Sequence, residues 1–93
     1  MTRKEHLLTI VSEECAEVAH RVSKALRFGM GEKEPGNCYN NRERIEVEVV
    51  GLLAALELAG IIVEGEWVRA AMNAKQAKIE SHLRYSRECG TLI

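Results

Sequence analysis

Apolar residues recur at steps of three and four along three segments of this chain, and no segment shows the alternation of a β-strand. The segments extend from about Glu5 to Phe28, from about Asn40 to Ala59 and from about Glu66 to Glu88. The chain has 93 residues and one proline, so these segments and their turns use nearly all of its length. The sequence therefore predicts an all-α fold: one domain, residues 1–93, built as an antiparallel helical bundle of about three helices.

The boundary between the first two helices carries clear local signals. Gly29-Met-Gly31 is typical of a helix end, and Asn40 followed by Glu43 resembles a capping box at the start of the second helix. The loop from Gly29 to Asn40 spans about a dozen residues, which is long for a helix–helix connection. We therefore expect this loop to have a functional use.

The second helix has apolar side chains on nearly all sides. One face carries Ile45, Val49, Leu52 and Leu56, and the other side carries Val47, Val50, Ala54 and Leu58. A helix of this kind is usually enclosed by neighbours on most sides, and a three-helix monomer cannot enclose it. We therefore expect a homo-oligomer, at least a dimer, to complete the core.

The overall charge and the cysteines narrow the functional classes. The 13 basic and 14 acidic residues nearly balance, so no overall field favours nucleic acid or an anionic membrane. The most apolar stretch, residues 49–63, contains Glu57 and is too short to span a bilayer. Cys15, Cys38 and Cys89 lack the spacings of zinc sites or disulfide frameworks. Because the first residues also lack a signal peptide's apolar region, we expect reduced thiols and a cytoplasmic location.

Three glutamates lie where a plain bundle would carry apolar residues. Glu14 and Glu17 are one helical turn apart, with Glu14 at the edge of the first apolar stripe and Glu17 just beyond it, and Glu48 lies on an apolar side of the second helix. Partly desolvated carboxylates need a counter-charge. Either a hard divalent cation, Mg²⁺ or Mn²⁺, supplies it, or the first two glutamates pair with Arg21 and Lys24.

Cationic residues occupy the corresponding positions of the third helix. Lys75, Lys78 and His82 share the arc of its apolar residues. Lysines near three carboxylates suit a polyphosphate bound partly through metal and partly through ammonium groups. The alternative is that both lysines cover a dimer seam, and His82 fits an ordinary helix histidine. At the end of the first helix, Arg27 and Phe28 are candidates for stacking on a base, although Phe28 is expected in the core.

Five stretches of the chain, between about residues 6 and 90, resemble the MazG-like all-α nucleoside triphosphate pyrophosphohydrolases, especially the short forms common in phages and prophages. They are Glu13-Glu-Cys-Ala-Glu17, Ser23-Lys-Ala-Leu-Arg-Phe-Gly29, Asn41-Arg-Glu-Arg-Ile45, Leu52-Leu-Ala54 and Ala74-Lys-Gln-Ala-Lys-Ile-Glu80. The core signature of that family is ExxE on one helix and ExxD on the next.

The resemblance implies a fold, a reaction and an assembly. The fold is the MazG-like helical bundle, assembled as a homodimer or homotetramer. The reaction is Mg²⁺- or Mn²⁺-dependent cleavage of a nucleoside triphosphate to the monophosphate and pyrophosphate. Glu14, Glu17 and Glu48 match metal-binding and catalytic acids. Lys75 and Lys78 match residues that contact phosphate, and we add Lys24 and Arg27 to the expected substrate-binding set.

One position departs from the family pattern, because Gly51 stands where ExxD has its aspartate. Glu13 or a carboxylate from another subunit is a candidate replacement for the missing acid. The alternative function is a catalytically degenerate relative that acts as a nucleotide-binding or oligomeric interaction module. A purely structural helical dimer ranks last, because it leaves the charges beside the apolar faces unexplained.

Overall fold

The computed structural model describes all 93 residues. The chain forms three α-helices and no β-strand, which confirms the predicted all-α class. Helix α1 spans Arg3–Phe28, α2 spans Asn41–Leu58 and α3 spans Glu66–Glu88. The chain divides into two compact units, Met1–Ile62 with α1 and α2, and Val63–Ile93 with α3. No helix combines the length and the hydropathy that a membrane span needs.

Side-chain caps fix the starts of the first two helices. The Asn40 side chain accepts from the Glu43 backbone N–H at 2.9 Å, and the Glu43 carboxylate accepts from the Asn40 N–H at 3.2 Å. This confirms the predicted capping box. Thr2 and Glu5 form a second capping box, so α1 begins two residues earlier than the apolar pattern indicated.

Helices α1 and α2 form an antiparallel hairpin. Near its closed end the Arg42 backbone N–H donates to the Met30 carbonyl at 3.1 Å, and further along Gly51 of α2 lies against Glu14 of α1. The buried apolar residues of this unit are all alanines: Ala25, Ala55 and Ala59. Small side chains at the contact allow the two helix axes to come close together.

Asn41 closes the loop that joins α1 to α2, and we call its contacts the clasp. Its side chain is 2% exposed and its Nδ2 donates to the Gly29 carbonyl at 2.7 Å and to Glu32 Oε2 at 2.8 Å. Its backbone N–H donates to the Glu32 carbonyl at 3.1 Å. Residues 33–39 extend beyond the clasp as the loop tip, and the clasp joins the ends of both helices on either side of this tip.

The loop tip contains a tight turn. The Asn37 backbone N–H donates to the Glu34 carbonyl at 2.9 Å, with Pro35 and Gly36 between them. Gly36 has a φ of 85°, which suits the third position of a type II turn after a proline. The turn fixes the local direction in which the backbone presents Glu34.

Helix α2 exposes apolar side chains on the side that α1 does not cover. Val47, Val50, Leu53 and Leu58 are each more than half exposed. Apolar residues are therefore spread around α2 rather than gathered on one side, as the sequence indicated. We call these four residues the open face of α2.

The second unit consists of α3 and its flanking segments. Helix α3 has the predicted bounds. Its N-cap residue is Gly65, which has a φ of 107° and provides no side-chain cap. None of its residues is buried, and Lys75 and Lys78 are both exposed. Residues 90–93 lie outside the helix, as predicted.

Candidate functional site

Charged side chains line the inner faces of α1 and α2, where a helical hairpin is ordinarily apolar. Glu14, Arg21 and Lys24 of α1 and Arg44 and Glu48 of α2 are all half-buried. The cations lie towards the loop end of the hairpin and the carboxylates lie towards its middle. Along the hairpin, the site therefore changes from a basic end to an acidic centre.

The acidic centre depends on the absence of a side chain at position 51. A Cβ atom built on Gly51 would lie 3.0 Å from Glu14 Oε2 and 3.8 Å from its Cδ. A contact of 3.0 Å requires the carboxylate to shift by a few tenths of an ångström. Gly51 thus leaves the space in which the Glu14 carboxylate lies against α2.

The predicted acidic residues differ in their exposure. Glu14 and Glu48 are half-buried, as the apolar pattern indicated, whereas Glu17 is exposed on the same helix as Glu14. The ion pairs of the structure are Arg42–Glu46 at 3.6 Å and Arg44–Glu34 at 2.9 Å. The alternative pairing of Glu14 and Glu17 with Arg21 and Lys24 is therefore not formed, and all three predicted acids lack an ion-pair partner.

The donors fit a metal only in part. No group of three or more histidine, cysteine, aspartate or glutamate side chains is placed to hold a metal ion. Glu14 and Glu48 nevertheless offer unpaired, half-buried carboxylate oxygen, which Mg²⁺ and Mn²⁺ prefer. Mg²⁺ is commonly bound by one or two carboxylates together with substrate phosphates and water. The residues fit a metal that arrives with a phosphate ligand, and do not fit one held by protein side chains alone.

A pocket of about 220 Å³ lies at the basic end, beside the loop. Its lining residues are Lys24, Phe28, Glu32, Glu34, Asn41 and Arg44. Arg44 Nη1 donates to Glu34 Oε2 at 2.9 Å, and the Arg44 side chain is 17% exposed while that of Glu34 is 58% exposed. The hydrogen bond and charge of Arg44 lower the pKa of Glu34, with smaller contributions from Lys24 and Arg21. The Glu34 carboxylate is thus paired with Arg44 and also feels the charges of Lys24 and Arg21.

One buried donor of α1, outside the pocket lining, has no acceptor. Nη1 of Arg21 is buried and forms no hydrogen bond. None of Arg21, Arg44 and Glu34 was assigned a binding role from the sequence. The sequence feature that could have identified Arg44 as a site residue is its position one helical turn before Glu48, which places both side chains on the same face of α2.

The end of α1 corrects one expectation. Phe28 is 54% exposed and lines the pocket, so its predicted place in the core is wrong. It is the last residue of α1, at the end of the hairpin where no further helix turn packs against it. Arg27 Cζ lies 4.9 Å from the centre of the Phe28 ring. The ring and the guanidinium therefore offer a stacking surface at the edge of the pocket.

The predicted lysines lie in different units of the chain. Lys24 lines the pocket, whereas Lys75 and Lys78 belong to the second unit, and their part in substrate binding stays a prediction. All three cysteines are free and exposed. Comparisons with protein-family models, with curated proteins and with solved structures give no match for this chain.

Proposed function

We propose that the chain is a metal-dependent nucleoside triphosphate pyrophosphohydrolase that releases a monophosphate and pyrophosphate. One observation carries the proposal: a cationic pocket and two unpaired carboxylates, Glu14 and Glu48, share the inner faces of one hairpin. Arg44 and Glu48 are four residues apart on α2, which is a rise of about 6 Å. A polyphosphate held at Arg44 could therefore reach the carboxylates at the centre of the hairpin.

The residues have distinct roles in this proposal. Lys24 and Arg44 bind phosphate oxygens through charge-assisted hydrogen bonds, and Glu14 and Glu48 are the residues that would hold the metal. A bound Mg²⁺ or Mn²⁺ supplies neutralisation of the triphosphate and a lowered pKa for the attacking water. Glu17, the third predicted acid, lies one turn from Glu14, and we assign to it the acceptance of the proton of that water.

The other predicted binding residues contact the ends of the ligand. Arg27 and Phe28 stack on the base at the edge of the pocket, while Lys75 and Lys78 contact phosphate oxygens. The proposed substrate class is a nucleoside or deoxynucleoside triphosphate, encountered in the cytoplasm.

The proposal includes a homo-oligomer, a dimer or tetramer, assembled through the open face of α2. Helix α1 covers only one side of α2, and the exposed apolar side chains on the other side suit a second copy of the same helix. A second copy would also supply carboxylates that one chain does not bring together. Assembly and the completeness of the acidic site are thus linked in this proposal.

A nucleotide-binding or interaction module without turnover is the second candidate. Two observations favour it: Gly51 supplies no carboxylate, and one chain forms no three-residue metal group. A purely structural dimer is less favoured because it gives no reason for half-buried, unpaired glutamates at Glu14 and Glu48.

The test is pyrophosphate release from each ribo- and deoxyribonucleoside triphosphate with Mg²⁺ or Mn²⁺. We expect release by the native chain and its loss in Glu14→Gln and Glu48→Gln. Glu46→Gln is the matched control, because Glu46 is an exposed acid of α2 paired with Arg42. Nucleotide binding without release would support the binding module instead, and the absence of both would refute the two functions together.

A further inference from the structure

We infer that the pocket at the loop end is an anion site for a polyphosphate tail, and that the Glu34 carboxylate occupies it until such a ligand displaces it. The choice of polyphosphate as the ligand rests on the proposed function. The occupied site itself rests on contacts between α1, α2 and the loop tip.

The first support is an excess of cations around one carboxylate. Arg44 alone forms an ion pair with Glu34, whereas Lys24 and Arg21 form none. Lys24, which lines the pocket, therefore has no ion-pair partner there. A phosphate tail has more acceptor oxygens than a carboxylate, so it could satisfy cations from both helices at once.

The second support is that Glu34 can leave without unfolding the hairpin. Glu34 lies in the loop tip, outside the clasp of Asn41, Gly29 and Glu32. Its side chain is mostly exposed, so moving it into water breaks only a weak ion pair. The clasp keeps Arg44 and Lys24 in place while the tip moves.

The size and charge of the pocket specify the ligand. Its volume of about 220 Å³ is below the roughly 300 Å³ at which pockets for whole drug-sized ligands begin, which favours phosphates over a nucleoside. Glu32 also lines the pocket, but its carboxylate accepts from the Asn41 amide. Once Glu34 has left, two lining cations, Lys24 and Arg44, face that one carboxylate, so the pocket attracts anions.

The test measures binding of inorganic pyrophosphate by calorimetry without metal and at fixed low salt. Glu34→Gln removes the competing charge, and we expect it to tighten binding about twofold to fivefold, the range that an exposed ion pair provides. Glu46→Gln removes the same charge from the other ion pair of α2 and should bind as the native chain does. Arg44→Ala should weaken binding about tenfold or more.

Several outcomes would overturn the inference. Equal affinity in Glu34→Gln and Glu46→Gln would make the Arg44–Glu34 pair purely structural. If Arg44→Ala lowers the melting temperature, the affinity of Lys24→Ala for pyrophosphate is the deciding measurement. An affinity equal to that of the native chain would refute the anion site.

The source of the phosphate tail and the proposed hydrolase are tested separately. Phe28→Ala should weaken the binding of a nucleoside triphosphate but leave the binding of inorganic triphosphate unchanged. Equal losses of affinity for the two ligands would refute a pocket that binds only the phosphate tail. Tighter pyrophosphate binding by Glu34→Gln in a chain that hydrolyses no nucleotide would support the anion site while refuting the hydrolase. If the native chain hydrolyses nucleotide but Glu34→Gln does not change pyrophosphate affinity, the displacement of the Glu34 carboxylate is refuted and the hydrolase is not.

Discussion

Replacing Gly51 with aspartate tests the acidic centre most directly. The new Cβ would lie 3.0 Å from Glu14 Oε2, so the added carboxylate comes next to an existing one. It also lies one helical turn from Glu48, on the same helix. The variant thus adds the acid of an ExxD motif at a point where the Glu14 carboxylate already occupies the space.

The effect without metal follows from like-charge repulsion. Two unit charges about 4 Å apart interact by about 1 kcal/mol in water and about 4 kcal/mol at the effective dielectric near a protein surface. Glu14 is half-buried, between these limits. Gly51→Asn has nearly the same shape without the charge, so we expect the aspartate variant to be less stable than the asparagine variant by about 1–4 kcal/mol.

Metal should reverse this difference. A ligand that binds only the folded state stabilises it by about 2.7 kcal/mol at one hundred times its dissociation constant. We therefore expect Mn²⁺ to raise the melting temperature of Gly51→Asp more than that of Gly51→Asn or the native chain. For a domain of this size each kcal/mol corresponds to about 4–8 °C, which thermal melts at fixed protein concentration resolve.

A single result would refute the reasoning. If Mn²⁺ stabilises the aspartate variant no more than the asparagine variant, position 51 does not face a metal. The alignment of Leu52-Leu-Ala54 with the second family motif would then be wrong. Adding Glu14→Gln to the aspartate variant provides the internal check, because it should remove most of the additional metal effect.

Four further predictions follow from other parts of the chain. Lys75→Ala and Lys78→Ala should each weaken triphosphate binding by roughly 1.5–3 kcal/mol and leave the fold intact; unchanged affinity with an altered melting temperature would instead place them at a subunit seam. Val50→Lys, on the open face of α2, should shift sedimentation from oligomer towards monomer, and a native chain that already sediments as a monomer would contradict the proposed assembly. Asn41→Ala removes two hydrogen bonds from a buried amide and should lower the free energy of unfolding by about 2–4 kcal/mol, measured by urea titration. The pKa of Glu34 is lowered in the folded state, so its contribution to stability is present above the ordinary glutamate pKa and declines as the pH falls through the lower folded value; an NMR titration midpoint at or above the ordinary value would contradict this.

The sequence predicted the features that depend on local signals. The capping box of Asn40 and Glu43 and the glycine after Phe28 fix helix ends through neighbouring backbone groups, so a single chain segment contains the necessary information. The half-burial of Glu14 and Glu48 followed from helical periodicity in the same way.

The features that join distant segments could not be predicted in this way. The ion pair of Arg44 with Glu34 depends on the path of an irregular loop, and no periodic pattern specifies that path. The approach of Glu14 to Gly51 depends on the register between two helices. The sequence motif indicated that position 51 lacks an acid, but it did not show that the Glu14 carboxylate occupies the space beside it. Phe28 was misplaced because its aromatic character suggests burial, whereas the sequence does not show where the partner helix begins.

The clasp at Asn41 separates the length of the loop from the geometry of the hairpin. Gly29, Glu32 and Asn41 bring the chain together before the tip leaves, so residues added between positions 33 and 40 would enlarge only a loop whose ends are already joined. Doubling the length of such a loop costs only about 0.6 kcal/mol in closure entropy. The tip could therefore be lengthened, shortened or changed in composition, which would alter what enters the pocket, while α1 and α2 remain paired as they are here.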